Sequence, residues 1–105
     1  MLYVTESQAA KIEAFRVALV GYDAAILANV AARDAFRQSS SSKGPAAAAY
    51  AESERAKERA ASVYDAASNA ILDDATFEEP RFDEFDFREG EYTIGAEPDL
   101  QGSLF

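Results

Sequence analysis

The sequence predicts an all-α fold, in which two alanine-rich helices form an antiparallel coiled-coil hairpin that is followed by an extended acidic, aromatic C-terminal tail. Three observations lead to this prediction. Helical spacing of apolar residues occurs in two long runs, a serine-rich segment separates the runs, and the charge changes abruptly after the second run. We therefore expect a helical hairpin over residues 1–75 and a tail over residues 76–105.

The start of each helix has a local signal. Thr5 and Gln8 have the spacing of a capping box, in which each side chain bonds to the backbone of the other, and a helix is predicted over about residues 5–38. After the serine-rich break, Pro45 suits the first position of a helix, because its missing N–H would be unpaired there anyway. The second helix is predicted over about residues 45–75.

Small residues recur at alternating spacings of three and four on both helices, and they predict the contact between them. The first row is Ala14, Val17, Gly21, Ala24, Ala28, Ala31 and Ala35, and the second is Ala49, Ser53, Ala56, Ala60, Val63, Ala67 and Ala70. Facing positions in an antiparallel hairpin have residue numbers with a constant sum, and these rows pair throughout with a sum of 84. Because small side chains let two backbones approach closely, we expect these rows to face each other.

The first helix also carries a row of larger apolar residues on another side. These residues are Ile12, Phe15, Leu19, Tyr22, Ile26 and Val30. The row lies roughly 130° around the helix from the small row, at ~100° per residue, so one partner helix cannot cover both. We expect the larger row to bind protein: another copy of the chain, its own tail or a different subunit.

The tail holds all of the net charge. Residues 73–105 contain eleven acidic and two basic residues, whereas residues 1–72 contain eight of each, which accounts for the net charge of −9. Aromatic residues are interleaved with the acids, and those expected to bind protein are Phe77, Phe82, Phe85, Phe87 and Tyr92. Pro80 and Pro98 exclude one continuous helix, and a short strand is predicted over residues 91–94. Whether the aromatic residues fill pockets on the chain's own hairpin or on a neighbour stays open.

The composition argues against catalysis. The chain has no histidine and no cysteine, which removes most acid–base, nucleophilic and zinc chemistry. The acidic run Asp83-Glu84-Phe85-Asp86 lacks the ligand spacing and central glycine of a calcium loop. We expect a protein that is not an enzyme and that uses no cofactor and no metal.

Charge and hydropathy also limit the partners and the location. A pI near 4.3 disfavours direct binding to nucleic acid or to an anionic membrane, and a basic protein surface is a better match. No signal segment and no long uncharged apolar run is recognised, so no membrane association is expected. The predicted location is the cytoplasm of a bacterial host, or a virion assembled there.

The last five residues, Gln101-Gly102-Ser103-Leu104-Phe105, resemble the pentapeptide by which bacterial polymerases and repair proteins bind the DNA sliding clamp. The resemblance implies that Gln101 makes a hydrogen bond at the rim of the clamp pocket. It also implies that Leu104 and Phe105 fill the hydrophobic pocket. The alternative is that Leu104 and Phe105 anchor this segment in an assembly.

Residues 22–35 resemble the alanine-rich helices, punctuated by Tyr and Asn, of phage internal virion and ejection proteins. The resemblance is one of composition and implies a structural role. The predicted function is a non-catalytic subunit of a multi-subunit particle, a bacteriophage virion being the one favoured, that binds copies of itself or other subunits. Two alternatives stay open: an acidic regulatory binder that mimics nucleic acid or binds a sliding clamp, and a monomer whose tail completes its own core.

Overall fold

The computed structural model describes residues 1–40 and 42–95 of the 105-residue chain. These residues form two long α-helices, two short strands and two short 3₁₀ helices. In chain order they are β1 (Leu2–Val4), α1 (Glu6–Gln38), α2 (Pro45–Leu72), 3₁₀ helices at Ala75–Glu78 and Pro80–Phe82, and β2 (Tyr92–Ile94). The described part of the chain is therefore mostly helical, but the parallel pair β1–β2 departs from the all-α prediction.

Helix α1 begins at the predicted capping box. The Thr5 backbone N–H donates to Gln8 Oε1 at 2.9 Å, and the Gln8 backbone N–H donates to Thr5 Oγ1 at 3.0 Å. Helix α2 begins at Pro45, as predicted, but it ends at Leu72 rather than near residue 75. Asp74 explains the earlier end, because its carboxylate accepts a hydrogen bond from the Thr76 backbone N–H and starts a 3₁₀ turn instead.

The chain divides into two compact units. The aromatic unit consists of Met1–Arg16 together with the chain from Ala67 onwards, and the helical unit is Val17–Ala66. Each helix contributes residues to both units. In the aromatic unit, residues of the tail pack with the start of α1.

The aromatic unit has a small hydrophobic core. Val4 and Ile12 have no exposed surface, and Ala9 and Phe82 are 5% and 4% exposed. Five partly buried residues pack around them, namely Leu2, Phe77, Phe85, Phe87 and Tyr92. The prediction of an extended tail is therefore wrong for residues 75–95, which fold into turns, 3₁₀ helices and a strand. Aromatic side chains bury a large apolar area, which favours folding over an extended path.

In the helical unit the two helices pack through larger residues than predicted. Tyr22 stacks on Tyr64 at 5.5 Å between ring centroids, and Phe36 contacts Tyr50 at 5.6 Å. The predicted small row of α1 is exposed at every position, and Val17 is 73% exposed. The prediction that this row faces α2 is thus wrong. Burying aromatic rings removes more apolar area from water than burying alanines does, and this difference favours the observed face.

Candidate protein-interaction surface

Arg16 holds the loop that precedes β2. Its Nε donates to the Phe87 carbonyl at 2.8 Å, its Nη2 donates to the Gly90 carbonyl at 2.7 Å, and its charge lies 5.5 Å from the centre of the Tyr92 ring. A side chain at position 90 would clash, because a Cβ there would lie 2.5 Å from the Asp86 carbonyl oxygen. The loop is thus fixed by a charged side chain that bonds directly to its backbone.

Two further cationic side chains of the aromatic unit, Lys11 and Arg81, make contacts within the unit. Lys11 forms an ion pair with Asp74 at 2.7 Å, and hydrogen bonds from Lys11 and then from Thr76 lower the pKa of Asp74 to about 2. The Arg81 guanidinium donates to the Tyr3 carbonyl and lies 4.8 Å from the centre of the Phe82 ring. These contacts tie the tail to the start of the chain.

The tail aromatic residues that were predicted to bind protein contact one another within the chain. Ring centroids of Phe77 and Phe82 lie 4.9 Å apart, and those of Phe85 and Phe87 also lie 4.9 Å apart. The Tyr92 hydroxyl donates to the Glu13 carboxylate, and this hydrogen bond raises the pKa of Tyr92. Ile12 and Phe82 are buried in the same core, so their apolar surface is already covered within this chain.

Most acidic residues of the tail are exposed rather than part of this core. Eight acids between residues 73 and 91 are exposed, namely Asp73, Glu78, Glu79, Asp83, Glu84, Asp86, Glu89 and Glu91. Since aromatic rings and acids alternate along the tail, burying the rings turns the acids to solvent. The aromatic unit therefore presents an anionic surface.

Phe15, another residue of the predicted protein-binding row, lines an open apolar cleft. The cleft has a volume of about 220 Å³, and its lining also includes Ser68, Ile71, Leu72 and Phe87. Leu72 is 73% exposed. Across the described residues, no group of three or more Asp or Glu is placed to hold a metal ion.

A buried polar contact lies between the helices of the helical unit. Asn29 is 7% exposed, and its Nδ2 donates to Ser53 Oγ at 3.1 Å and to Glu54 Oε1 at 2.8 Å. Its Oδ1 accepts from Lys57 Nζ at 3.3 Å. The hydrogen bond from Asn29, followed by the charge of Lys57, lowers the pKa of Glu54. Every polar atom of the Asn29 side chain is thus paired, which is what burial of an amide requires.

Sequence reasoning missed this contact, although a signal for it was present. Tyr22, Asn29 and Phe36 are spaced by seven residues, and so are the residues they contact on α2, which are Tyr64, Lys57 and Tyr50. In each of these three pairs the residue numbers add to 86. A search for paired heptads of large or polar residues would have found the observed face.

The opposite side of α1 is apolar and exposed. We define the outer face of α1 as Val17, Val20, Gly21, Ala24, Leu27, Ala28 and Ala31. Val17, Val20 and Leu27 are 73%, 70% and 70% exposed, and Asp23 is the sole charged residue between positions 17 and 32. Of the rest of the predicted row, Leu19, Tyr22 and Ile26 are half-buried and Val30 is 37% exposed.

Helix α1 is apolar over much of its length. An 18-residue window in it has a mean hydropathy of 1.4, so by length and composition alone this helix would be able to cross a membrane. Only 11% of that window is buried. Asp23 lies within this apolar stretch, so the expectation of no long uncharged apolar run stays a prediction.

Comparison with protein-family models, with curated proteins and with solved structures finds no match to this chain. The predicted sliding-clamp residues Gln101, Leu104 and Phe105 lie outside the described residues. The surfaces of the aromatic and helical units are therefore the features from which a function can be argued.

Proposed function

We propose that this chain is a non-catalytic subunit of a multi-subunit assembly and that it binds neighbouring subunits through the outer face of α1. The observation that carries the proposal is the exposure of Val17, Val20 and Leu27 along one uncharged side of the helix. Single exposed apolar residues are common, but a contiguous apolar patch marks a binding surface. A bacteriophage particle, or the cytoplasm of its bacterial host, is the setting that the resemblance of residues 22–35 favours.

The order of the contacts between α1 and α2 supports an antiparallel hairpin. Tyr22 contacts Tyr64, Asn29 contacts Lys57 and Phe36 contacts Tyr50, so residue numbers rise along α1 as they fall along α2. Such a hairpin uses one side of α1 for its own packing. The opposite side of α1 is then presented to a partner by a rigid helix. Binding therefore requires no loop to become ordered, which avoids that entropic cost.

The anionic surface of the aromatic unit fits the same role. Its exposed acids disfavour non-specific contacts between copies and keep the chain soluble, since like charges repel. The outer face of α1 has no charged residues, so no such repulsion arises there. Association is thereby directed to the neutral side of the helical unit.

Photo-crosslinking in the producing cells tests this proposal. A photoreactive amino acid placed at Val20 should give covalent adducts, whereas the same group at Val63, which is 60% exposed on α2, should give few. Adding Leu27→Glu should abolish the Val20 adducts, because a partner would have to bury an unpaired charge. Equal labelling at the two positions, or none at Val20, would contradict the proposal.

The anionic surface supports a second candidate, a small regulatory protein of a phage or mobile element that occupies a basic groove as a nucleic-acid mimic. The supporting observation is that eight exposed acids fall between residues 73 and 91, against two arginines. Binding of this kind depends strongly on salt. Replacing Asp83 and Glu84 by Asn and Gln should weaken it, and unchanged binding by the doubly substituted chain would count against this candidate.

Sliding-clamp binding belongs to the same second candidate. Deleting residues 101–105, or replacing Leu104 and Phe105 by alanine, should abolish capture of a purified bacterial clamp by the intact chain. Replacing Gln101 by alanine should weaken it to a smaller extent, since a rim hydrogen bond contributes less than the apolar anchors. No binding by the intact chain would remove the clamp from consideration.

A further inference from the structure

We infer that the partner on the outer face of α1 is a second copy of this chain, packed antiparallel to the first about a two-fold axis at Ala24. The inference rests on the proposed function and names the partner. A two-fold interface uses the same patch on both copies, so the patch has to be complementary to itself. The outer face of α1 meets this condition in size and in charge.

Large and small residues alternate on this face with the symmetry that an antiparallel pair needs. A second copy is related to the first by a rotation of 180° about an axis beside Ala24. A residue of one copy then lies level with the residue of the other copy whose number, added to its own, gives 48. The levels are Val17 with Ala31, Val20 with Ala28, Leu27 with Gly21, and Ala24 with itself. Every large side chain thus meets a small one. The Val–Ala and Leu–Gly levels have similar total volumes, and the Ala24 level on the axis is smaller. When large side chains of one helix face small side chains of the other, the two helices can approach closely along their contact.

Gly21 supplies the deepest of these sites. A Cβ built on Gly21 meets no atom within 4 Å, so the space beside this residue is open in the single chain. Glycine in a helix interior costs about 1 kcal/mol relative to alanine. In the antiparallel pair this space receives Leu27 of the second copy, which is 70% exposed in the single chain. A parallel pair would place Leu27 beside Leu27 and Gly21 beside Gly21, which overfills one level and leaves another empty.

The charge pattern favours the same partner. The chain has a net charge of −9, and most of the described acids of the tail are exposed. The exposed acids of two copies repel each other, but the outer face of α1 itself carries no charge and adds no repulsion to this contact. A strongly charged partner would find no opposite charge on this face. An uncharged apolar helix is complementary to it, and the chain itself provides one.

Cysteine crosslinking tests the geometry directly, because the chain has no cysteine of its own. Ala24→Cys should link to itself through a short bismaleimide, since the axis passes beside this residue. Val17→Cys should not link to itself, because the two positions would be ~21 Å apart along the helix at ~1.5 Å per residue. A mixture of Val17→Cys and Ala31→Cys should link. Self-linking of Val17→Cys would overturn the antiparallel arrangement, and failure of Ala24→Cys to link would overturn the two-fold contact.

A substitution at Gly21 separates dimerisation from folding. Gly21→Leu removes a helix-interior glycine, and its Cβ would meet no atom within 4 Å in the single chain, so the thermal stability of the monomer should not fall. In the dimer it fills the space that Leu27 needs, so the dissociation constant measured by sedimentation should rise about ten- to a hundredfold. Gly21→Ala serves as the milder control. Wild-type dimerisation by Gly21→Leu would contradict the inference.

The experiments also distinguish this inference from the proposed function. If the purified chain is a monomer at all concentrations, yet Val20 crosslinks in cells to a foreign protein and Leu27→Glu abolishes that adduct, the second-copy inference is wrong and the proposed function stands. If Val20 gives no adduct in cells either, both are wrong. Adducts of two copies, lost on Leu27→Glu, are the result expected for both.

Discussion

The two units of this chain use their apolar residues in opposite ways. The aromatic unit buries Val4, Ile12 and Phe82, and the charged side chain of Arg16 holds its loop by hydrogen bonds to backbone carbonyls. Among the described residues of the helical unit, Ala18 and Asn29 are the ones classed as buried, while apolar side chains along α1 remain exposed. The comparison teaches that the buried apolar core is concentrated in the aromatic unit, whereas the long helices leave apolar surface exposed.

The largest effect should come from the core of the aromatic unit. Phe82→Ala leaves a cavity where four other aromatic side chains and Ile12 now pack, and it should lower the free energy of unfolding by about 3–5 kcal/mol. Phe36→Ala, at a half-buried ring of the helical unit, should cost less. Urea denaturation followed by circular dichroism measures both. Equal losses would show that the two units do not differ as described.

Arg16 should matter more than an exposed arginine of the helical unit. Arg16→Met removes charged hydrogen bonds to the Phe87 and Gly90 carbonyls, and the expected cost is about 2–3 kcal/mol. Arg59→Met breaks an exposed ion pair with Glu52 and should change the free energy of unfolding very little, because solvent screens the pair. Hydrogen exchange should rise at residues 86–92 in the first variant alone. Unchanged exchange there would mean that Arg16 does not hold the loop.

The buried amide of the helical unit gives a third test. Asn29→Ala leaves Glu54 and Lys57 without their shared partner and should cost about 1–3 kcal/mol in thermal or urea unfolding. Asn29→Leu should restore much of this stability while relaxing the register between the helices, as loss of a single polar seam residue does in coiled coils. Spin-label distances between α1 and α2 would detect the relaxation. A single sharp distance in Asn29→Leu would show that Asn29 does not set the register.

Two glycines should respond in opposite directions to the same change. Gly90→Ala places a Cβ against the Asp86 carbonyl and the Phe85 ring, and it should destabilise the chain by about 1–3 kcal/mol. Gly21→Ala meets no neighbour within a helix and should stabilise it by about 1 kcal/mol. Melting temperatures of the two variants, compared at a concentration low enough to keep the chain monomeric, give the signs. Shifts of the same sign would contradict the contrast between a packed and an open site.

The smallest expected effect is on the pH dependence of stability. The pKa of Asp74 is lowered from 3.8 to about 2, so the folded chain binds this proton more weakly than the unfolded chain does. The ionised carboxylate therefore stabilises the fold above its ordinary pKa, and this contribution is lost as the pH falls from about 4 towards 2. Asp74→Asn should reduce the dependence of the melting temperature on pH over that interval. Asp73→Asn, at an exposed residue, should leave this dependence unchanged. An unchanged slope in Asp74→Asn would refute the role of the Lys11 ion pair.

The sequence predicted those features of the fold that depend on neighbouring residues. Thr5 and Gln8 form the capping box, Pro45 starts α2, and residues 92–94 form a strand within the segment predicted for one. These signals are local, and they act through backbone geometry that nearby side chains set directly. The strand β1 has no such signal in its three residues, and its partner is distant in the sequence.

The face of α1 that contacts α2 could not be chosen from spacing alone. The small residues pair with a sum of 84 and the observed contacts have a sum of 86, so two registers fit the same helices. The buried area of Tyr22, Phe36 and their partners decides between them, and spacing does not measure area. The roles of Arg16 and Arg81 were also missed, because bonds to distant carbonyls leave no pattern in the sequence.

The parallel pairing of β1 with β2 bears on the order in which the chain folds during translation. Residues of the helical unit are continuous in sequence, so they can assemble as soon as they leave the ribosome. The aromatic unit needs Leu2–Val4 together with Tyr92–Ile94, and its contacts span nearly the whole described chain. Contacts of such high sequence separation form slowly. The nascent helices therefore spend a period without the structure that later covers Val4 and Ile12, and any co-translational assembly would begin in that interval.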